Sequence, residues 1–170
     1  MILVTLGTQD KPFKRLVKEI DNLVKTKKIK DEVIMQVGLT PYDGPIKHFD
    51  FVNDEEMDLL VEKCDLLITH AGVGMLLKGM NYNKKIIAVP RLKKYHEHLN
   101  NHQLEITNDF VQRGAILSVT DIKDLEKTIK QSKKFIPTPL ALNTKEITNT
   151  IEEFIEKIWK RLQYLIMIYK

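Results

Sequence analysis

Residues 66–80 read LLITHAGVGMLLKGM: a short apolar run ending in threonine, a turn holding two glycines, then a segment whose apolar residues return at helical spacing. A strand that enters a helix through a glycine turn is the repeating unit of a parallel sheet, because the chain must be carried back before the next strand can run the same way. The unit recurs on both sides. Upstream, residues 2–6 (ILVTL) form a branched apolar strand broken by Gly7-Thr8-Gln9, and Pro12 opens a helix with Phe13, Leu16, Val17, Ile20 and Leu23 at helical spacing. Residues 33–37 predict a second strand, residues 38–45 a loop rich in proline and glycine, and residues 49–52 a third short strand. Asn53 or Asp54 caps the next helix, which carries Met57, Leu60 and Val61.

Downstream, residues 73–80 predict a helix, 86–89 a strand ended by Pro90, 98–111 a helix and 115–119 a final strand. Thr120 or Asp121 then caps a helix running to Lys133. Strands alternating with helices of about 10–15 residues predict right-handed crossovers and an α/β, Rossmann-like parallel sheet flanked by helices. Its ligand crevice is expected at the carboxyl ends of the strands. Pro137 and Pro139 then separate a domain of residues 1–140 from a helix in residues 141–170. There Ile151, Ile155, Ile158, Leu162, Leu165 and Tyr169 make an apolar stripe. That helix is expected to cover its own sheet, a partner protein or a membrane surface.

Composition sets the outer limits. A chain of 170 residues, 43% hydrophobic and 29% charged, suits one globular domain with a real core. Its formal charge of +4 admits anionic ligands, membrane surfaces or nucleic acid, but the cationic residues are dispersed and no aromatic stacking module accompanies them, which argues against nucleic acid. One cysteine, Cys64, excludes an intramolecular disulfide and a cysteine-based zinc cluster, and it reads as a packed thiol at a helix end in a reducing compartment. No stretch approaches the roughly 20 apolar residues that span a bilayer, and the start MILVTLG is unlike a signal peptide.

Two glycine turns, Gly7-Thr8-Gln9 and His70-Ala71-Gly72-Val73-Gly74, should open on the same sheet edge. Glycines let a ligand approach the backbone, and free N–H groups at a helix start bind phosphate, with Thr8 adding a hydroxyl. Neither turn carries the full dinucleotide fingerprint, and no Walker motif occurs. His70 can donate to an oxygen or accept a proton. Residues 90–103 (PRLKKYHEHLNNHQ) are the densest polar cluster: Arg91 could neutralise phosphate, Glu97 could act as an acid or base, and His102-Gln103 could face a nucleotide. His98 and His102, one helical turn apart if both are helical, raise a metal reading with Glu97, but HEHLNNH lacks the HExxH order, so no metal is assigned. Lys78 reads as a solvated helix residue.

These segments, namely Gly7-Thr8, residues 65–74, residues 87–91 and residues 97–103, together resemble the short subunits of glycosyltransferase family 28 over about residues 1–135. The resemblance implies the equivalent of the C-terminal half of a GT-B glycosyltransferase, whose other half and acceptor site come from a separate membrane-anchored partner. It implies that Gly7 and Thr8 line the cleft, that His70, Ala71, Gly72 and Gly74 contact the diphosphate-sugar, and that Glu97, His102 and Gln103 orient the donor. It implies no required cofactor or metal. Met75 and Lys78 depart from a small hydroxyl residue and a ribose-binding carboxylate in many relatives. The expected reaction is inverting transfer of galactose from UDP-galactose to a lipid-linked saccharide in capsule or exopolysaccharide synthesis, with His70, Glu97 or a group of the partner as catalytic base. The alternatives are a UDP-N-acetylglucosamine transferase subunit or a noncatalytic sugar-nucleotide-binding regulator. The expected location is cytoplasmic, against the inner face of the plasma membrane.

Overall fold

The computed structural model describes residues 1–139, so the expected helix of residues 141–170 lies outside the described residues. Six parallel strands, β1 (Ile2–Thr5), β2 (Val33–Gln36), β3 (Lys47–Phe49), β4 (Leu66–Thr69), β5 (Lys85–Ala88) and β6 (Leu117–Ser118), pair in the order β3-β2-β1-β4-β5-β6. Helices α1 (Lys14–Lys25), α2 (Asp54–Lys63), α3 (Val73–Asn81), α4 (His102–Gln112) and α5 (Leu125–Ser132) alternate with them, except between β2 and β3. The order reverses between β1 and β4, which opens a crevice at their carboxyl ends. This is the expected α/β sheet.

Every residue of β1, β2 and β4 is buried, as strands covered on both faces require. Helix α1 buries Leu16, Val17, Ile20 and Leu23, the predicted face, against the core formed with Val4, Leu6, Met35 and Ile68. It begins at Lys14 rather than at Pro12, because Phe13 is already buried and gives its N–H to the Thr40 hydroxyl at 3.0 Å. Asn53 closes a capping box with Glu56 at the start of α2. Cys64 ends that helix, buried, and burial pushes its thiol up to about 11.

Other boundaries also differ from the sequence reading, among them β6, which is confined to Leu117–Ser118 within the expected 115–119. The third strand runs over Lys47–Phe49, not 49–52; it is an edge strand with exposed Lys47 and His48, so it lacks the apolar signature of a covered one. The predicted helix over 98–111 starts only at His102. Asn100 Oδ1 accepts the His102 N–H and Asn101 Oδ1 accepts the Lys93 N–H, and such side-chain bonds compete with helix formation. The helix expected from Thr120 or Asp121 to Lys133 is split, with Asp121 capping a short 3₁₀ turn over Ile122–Asp124 before α5 begins.

Gly79 lets α3 lie close on the sheet: a Cβ there would fall 2.8 Å from Ile86 Cδ1 and from Leu67 Cδ2. Gly79→Val is expected to lower unfolding free energy by about 1–3 kcal/mol through overpacking, read from urea denaturation midpoints.

Candidate functional site

At the carboxyl edge, the ends of β1, β2 and β4, the start of α3 and the segment before α2 enclose a cleft of about 280 Å³. Its lining combines Thr5, Gly7, Thr8, Gln36, His70, Gly72 and Gly74 with the apolar side chains of Phe51, Val52, Met57 and Met75. The two predicted glycine turns therefore meet. Of the expected residues, Gly7, Thr8, His70, Gly72 and Gly74 line this cleft, whereas Ala71, Arg91, Glu97, His102 and Gln103 are not among its lining residues.

His70 sits between the two turns. A Cβ on Gly7 would fall 2.5 Å from its Nε2, and one on Gly72 would fall 2.3 Å from the same atom, so the ring fills the space that both glycines leave free. Its Nδ1 lies 3.4 Å from the Thr5 carbonyl and 3.3 Å from the Thr69 hydroxyl. A carbonyl only accepts, which assigns the proton to Nδ1 and leaves Nε2 with its lone pair toward the glycines. Burial, reinforced by the Arg91 charge, pushes the imidazole down to about 4, so it is neutral at physiological pH. Ala71, next in sequence, is buried at φ +64, the left-handed region that turns the chain into α3.

Gly72 precedes α3 without a side-chain cap, so the first N–H groups of that helix receive none, and the dipole's positive end faces the cleft residues Gly72 and Gly74. A Cβ on Gly74 would meet nothing within 4 Å, so the space beside it is open. Lys78, one turn from Met75, is not merely solvated: its ammonium pairs with Asp54, at 2.9 Å, and with Asp58, joining α3 to α2.

Arg91 and Glu97 take positions different from those expected. Arg91 is 1% exposed and gives its guanidinium to the carbonyls of Leu6 (2.7 Å), Lys11 (2.6 Å) and Glu97 (3.4 Å), over the Phe13 ring. Its donors hold backbone rather than phosphate. The Glu97 carboxylate accepts two bonds from Arg15, each 3.0 Å, and one from the Leu92 N–H, with only 4% of its side chain exposed. An acid or base role needs a carboxyl facing the ligand, and this one is committed to a cation. Gln103 accepts the Arg91 N–H through Oε1. His98 precedes α4, so the one-turn spacing with His102 behind the metal reading does not form.

Sequence reasoning missed Arg15 and Gln36. Arg15 lies on the polar side of an amphipathic helix, where nothing distinguishes it from a solvated cation. Gln36 did leave a signal, a polar amide closing the apolar run VIM in a strand buried throughout.

Glu97→Ala strands the Arg15 cation, whose side chain is 10% exposed, and is expected to destabilise the fold by about 3–5 kcal/mol, while the double variant Arg15→Leu/Glu97→Leu recovers much of that loss in urea denaturation. A second expectation follows from His70. Between pH 6.5 and about 4 the unfolded chain takes up a proton that the native imidazole excludes, so stability falls on acidification through that window. His70→Asn should flatten the dependence of Tm on pH there.

The family described as the glycosyltransferase family 28 C-terminal domain matches residues 1–158. The UDP-N-acetylglucosamine transferase subunit ALG13 of Candida glabrata is 28% identical over 134 residues, covering 76% of this chain and 61% of that protein. Its namesake in Candida albicans is 29% identical over 82 residues, covering 48% of this chain and 26% of that protein. The chain thus spans less than two thirds of the length of either relative. Among solved structures, the solution structure of ALG13 superposes with a TM-score of 0.57 at 22% identity, over 85% of this chain and 91% of that one. The MurG of Acinetobacter baumannii gives 0.56 at 16%, over 75% and 40%, and the spinosyn forosaminyltransferase SpnP 0.58 at 14%, over 92% and 43%. At these identities the superpositions establish the fold, which is that of GT-B C-terminal domains. With the family match spanning most of its length, the chain belongs to the glycosyltransferase family 28 C-terminal domain family.

Proposed function

We propose that this chain is the donor-binding subunit of an inverting glycosyltransferase that takes N-acetylglucosamine from its UDP derivative and passes it to a lipid-linked saccharide. The observation that carries this reading is the mixed lining of the cleft, in which Phe51, Val52, Met57 and Met75 share one cavity with Gly72 and Gly74 at the uncapped start of α3. A flat nucleobase suits the apolar side chains. A diphosphate suits backbone N–H groups at a helix start, where the dipole favours negative charge. Galactose, the donor expected from sequence, finds no support among the relatives, since both Candida proteins are named as N-acetylglucosamine transferase subunits. That supports the alternative donor.

In this mechanism the bond from the sugar's anomeric carbon to the diphosphate oxygen breaks while the acceptor oxygen attacks from the opposite face. Charge builds on the departing UDP, and the amides of Val73 and Gly74 with the α3 dipole stabilise it in place, requiring no reorganisation of solvent. Neutral His70, with a lone pair on Nε2, is the group in the cleft able to accept the acceptor's hydroxyl proton. Glu97 is not given this role, because Arg15 holds it. In this reading a membrane-anchored partner supplies the acceptor half of the site and keeps the chain on the cytoplasmic face; the word "subunit" in the relatives' names supports the need for a second chain.

Calorimetric titration with UDP, UDP-N-acetylglucosamine and UDP-galactose tests the donor. The N-acetylglucosamine derivative is expected to bind most tightly; preference for UDP-galactose restores the sequence expectation, and no binding to any of the three rejects the site. Gly74→Ala separates site from scaffold: a helical alanine for glycine raises stability by about 0.5–1 kcal/mol, yet its methyl enters the open space beside the amides and should weaken UDP binding about tenfold. With the partner supplied, His70→Asn is expected to lower kcat about 100-fold at unchanged donor affinity.

A further inference from the structure

Gln36 is 3% exposed, and every polar atom of its side chain is used. Its Oε1 accepts the Gly7 N–H at 3.0 Å, while Nε2 donates to the Gly7 carbonyl at 3.0 Å and to the Asp50 carbonyl at 3.1 Å. The orientation of the amide is forced, since two carbonyls can only accept and one N–H can only donate. One carboxamide thus ties together the ends of three adjacent strands, β1 through Gly7, β2 through its own backbone, and β3 through Asp50. The two residues it holds belong to separate segments that line the cleft. Gly7 lines it together with Thr8, and Asp50 leads directly into the lining residues Phe51 and Val52. The junction is close-packed as well, because Gly38, at φ +56, leaves room that a Cβ would take within 2.5 Å of the Gly7 carbonyl oxygen.

We infer that Gln36 is a positioning residue that sets the spacing between the Gly7-Thr8 turn and the Phe51-Val52 segment of the cleft, and with it the fit of a nucleoside diphosphate that touches both. The inference rests on the donor site described above for its ligand, but the hydrogen-bond geometry stands independently of it. An amide is needed because the two segments offer one donor, the Gly7 N–H, and two acceptors, the Gly7 and Asp50 carbonyls. A carboxylate of the same shape keeps the bond from the Gly7 N–H and sets its other oxygen against two carbonyls, driving the two segments apart. When protonated, it regains a donor.

That difference makes a pH-dependent test. Titration with UDP at pH 7.5 and 5.5 compares the wild-type chain with Gln36→Glu and Gln36→Leu. His70, packed on Gly7, and Arg91, bonded to the Leu6 carbonyl, keep their charge states over this range. Gln36→Glu is expected to bind UDP at least about tenfold more weakly than wild type at pH 7.5 and to recover most of that loss at pH 5.5, while Gln36→Leu stays weak at both. Amide hydrogen exchange supplies a readout independent of ligand: the Gly7 N–H should remain protected in Gln36→Glu and lose protection in Gln36→Leu. Wild-type affinity in Gln36→Glu at pH 7.5, a loss that pH does not reverse, or unchanged Gly7 exchange in Gln36→Leu overturns the inference. If the wild-type chain itself fails to bind UDP, the donor reading falls, and the exchange experiment alone decides the role of Gln36 in holding Gly7.

Discussion

Hydrogen bonds of a parallel ladder end where the strands end, yet the residues that make this cleft lie just beyond. The constraint that carries order past the strands is the buried Arg91 guanidinium, which holds the carbonyls of Leu6 and Lys11 after β1 and that of Glu97 after β5. A cation buried this deeply is costly unless its surroundings are fixed, and burial holds its pKa down to about 10. Glu97 supplies the balancing charge, and Arg15 brings in a second cation from α1, so one carboxylate and two guanidiniums lock the loops after β1 and β5 to the first helix. The Phe13 ring lies within 4.7 Å of one guanidinium carbon and 5.2 Å of the other.

The layered fold was legible because its signal is additive. Each strand of the central sheet is covered on both faces and reads as an apolar run, and each glycine turn falls at a strand end, so small errors of boundary do not disturb the order of elements. Edge strands β3 and β6 were less legible, since an edge has fewer neighbours to demand apolar side chains. The cleft was half legible. Glycine and histidine announce themselves by type at a strand's end, which located Gly7, His70, Gly72 and Gly74. Arg91 and Glu97 were assigned to ligand because a cation and a carboxylate near a cleft look alike in sequence whether they face solvent, substrate or one another. Only their pairing in space separates these cases, and Arg15, 82 residues from Glu97 in the chain, could not be read from either neighbourhood.

Division of labour follows from this arrangement. Groups with charge are spent on fixing loops, while the cleft itself is lined by backbone amides, hydroxyls, one neutral imidazole and apolar surface. Such a lining suits a ligand that brings its own negative charge, because fixed dipoles can solvate an anion without a counter-ion that would also hold it after the reaction.

The contact of His70 with Gly7 and Gly72 has an evolutionary consequence. Three positions from two separate turns share one ring-sized volume, so their tolerances are conditional on one another. While the imidazole is present, a side chain at position 7 or 72 is blocked; once a smaller residue replaces it, Gly72 becomes free to drift, whereas Gly7 stays bound by its left-handed backbone at φ +78. Lineages that lose the histidine should therefore lose Gly72 soon afterwards, while Gly7 outlasts both.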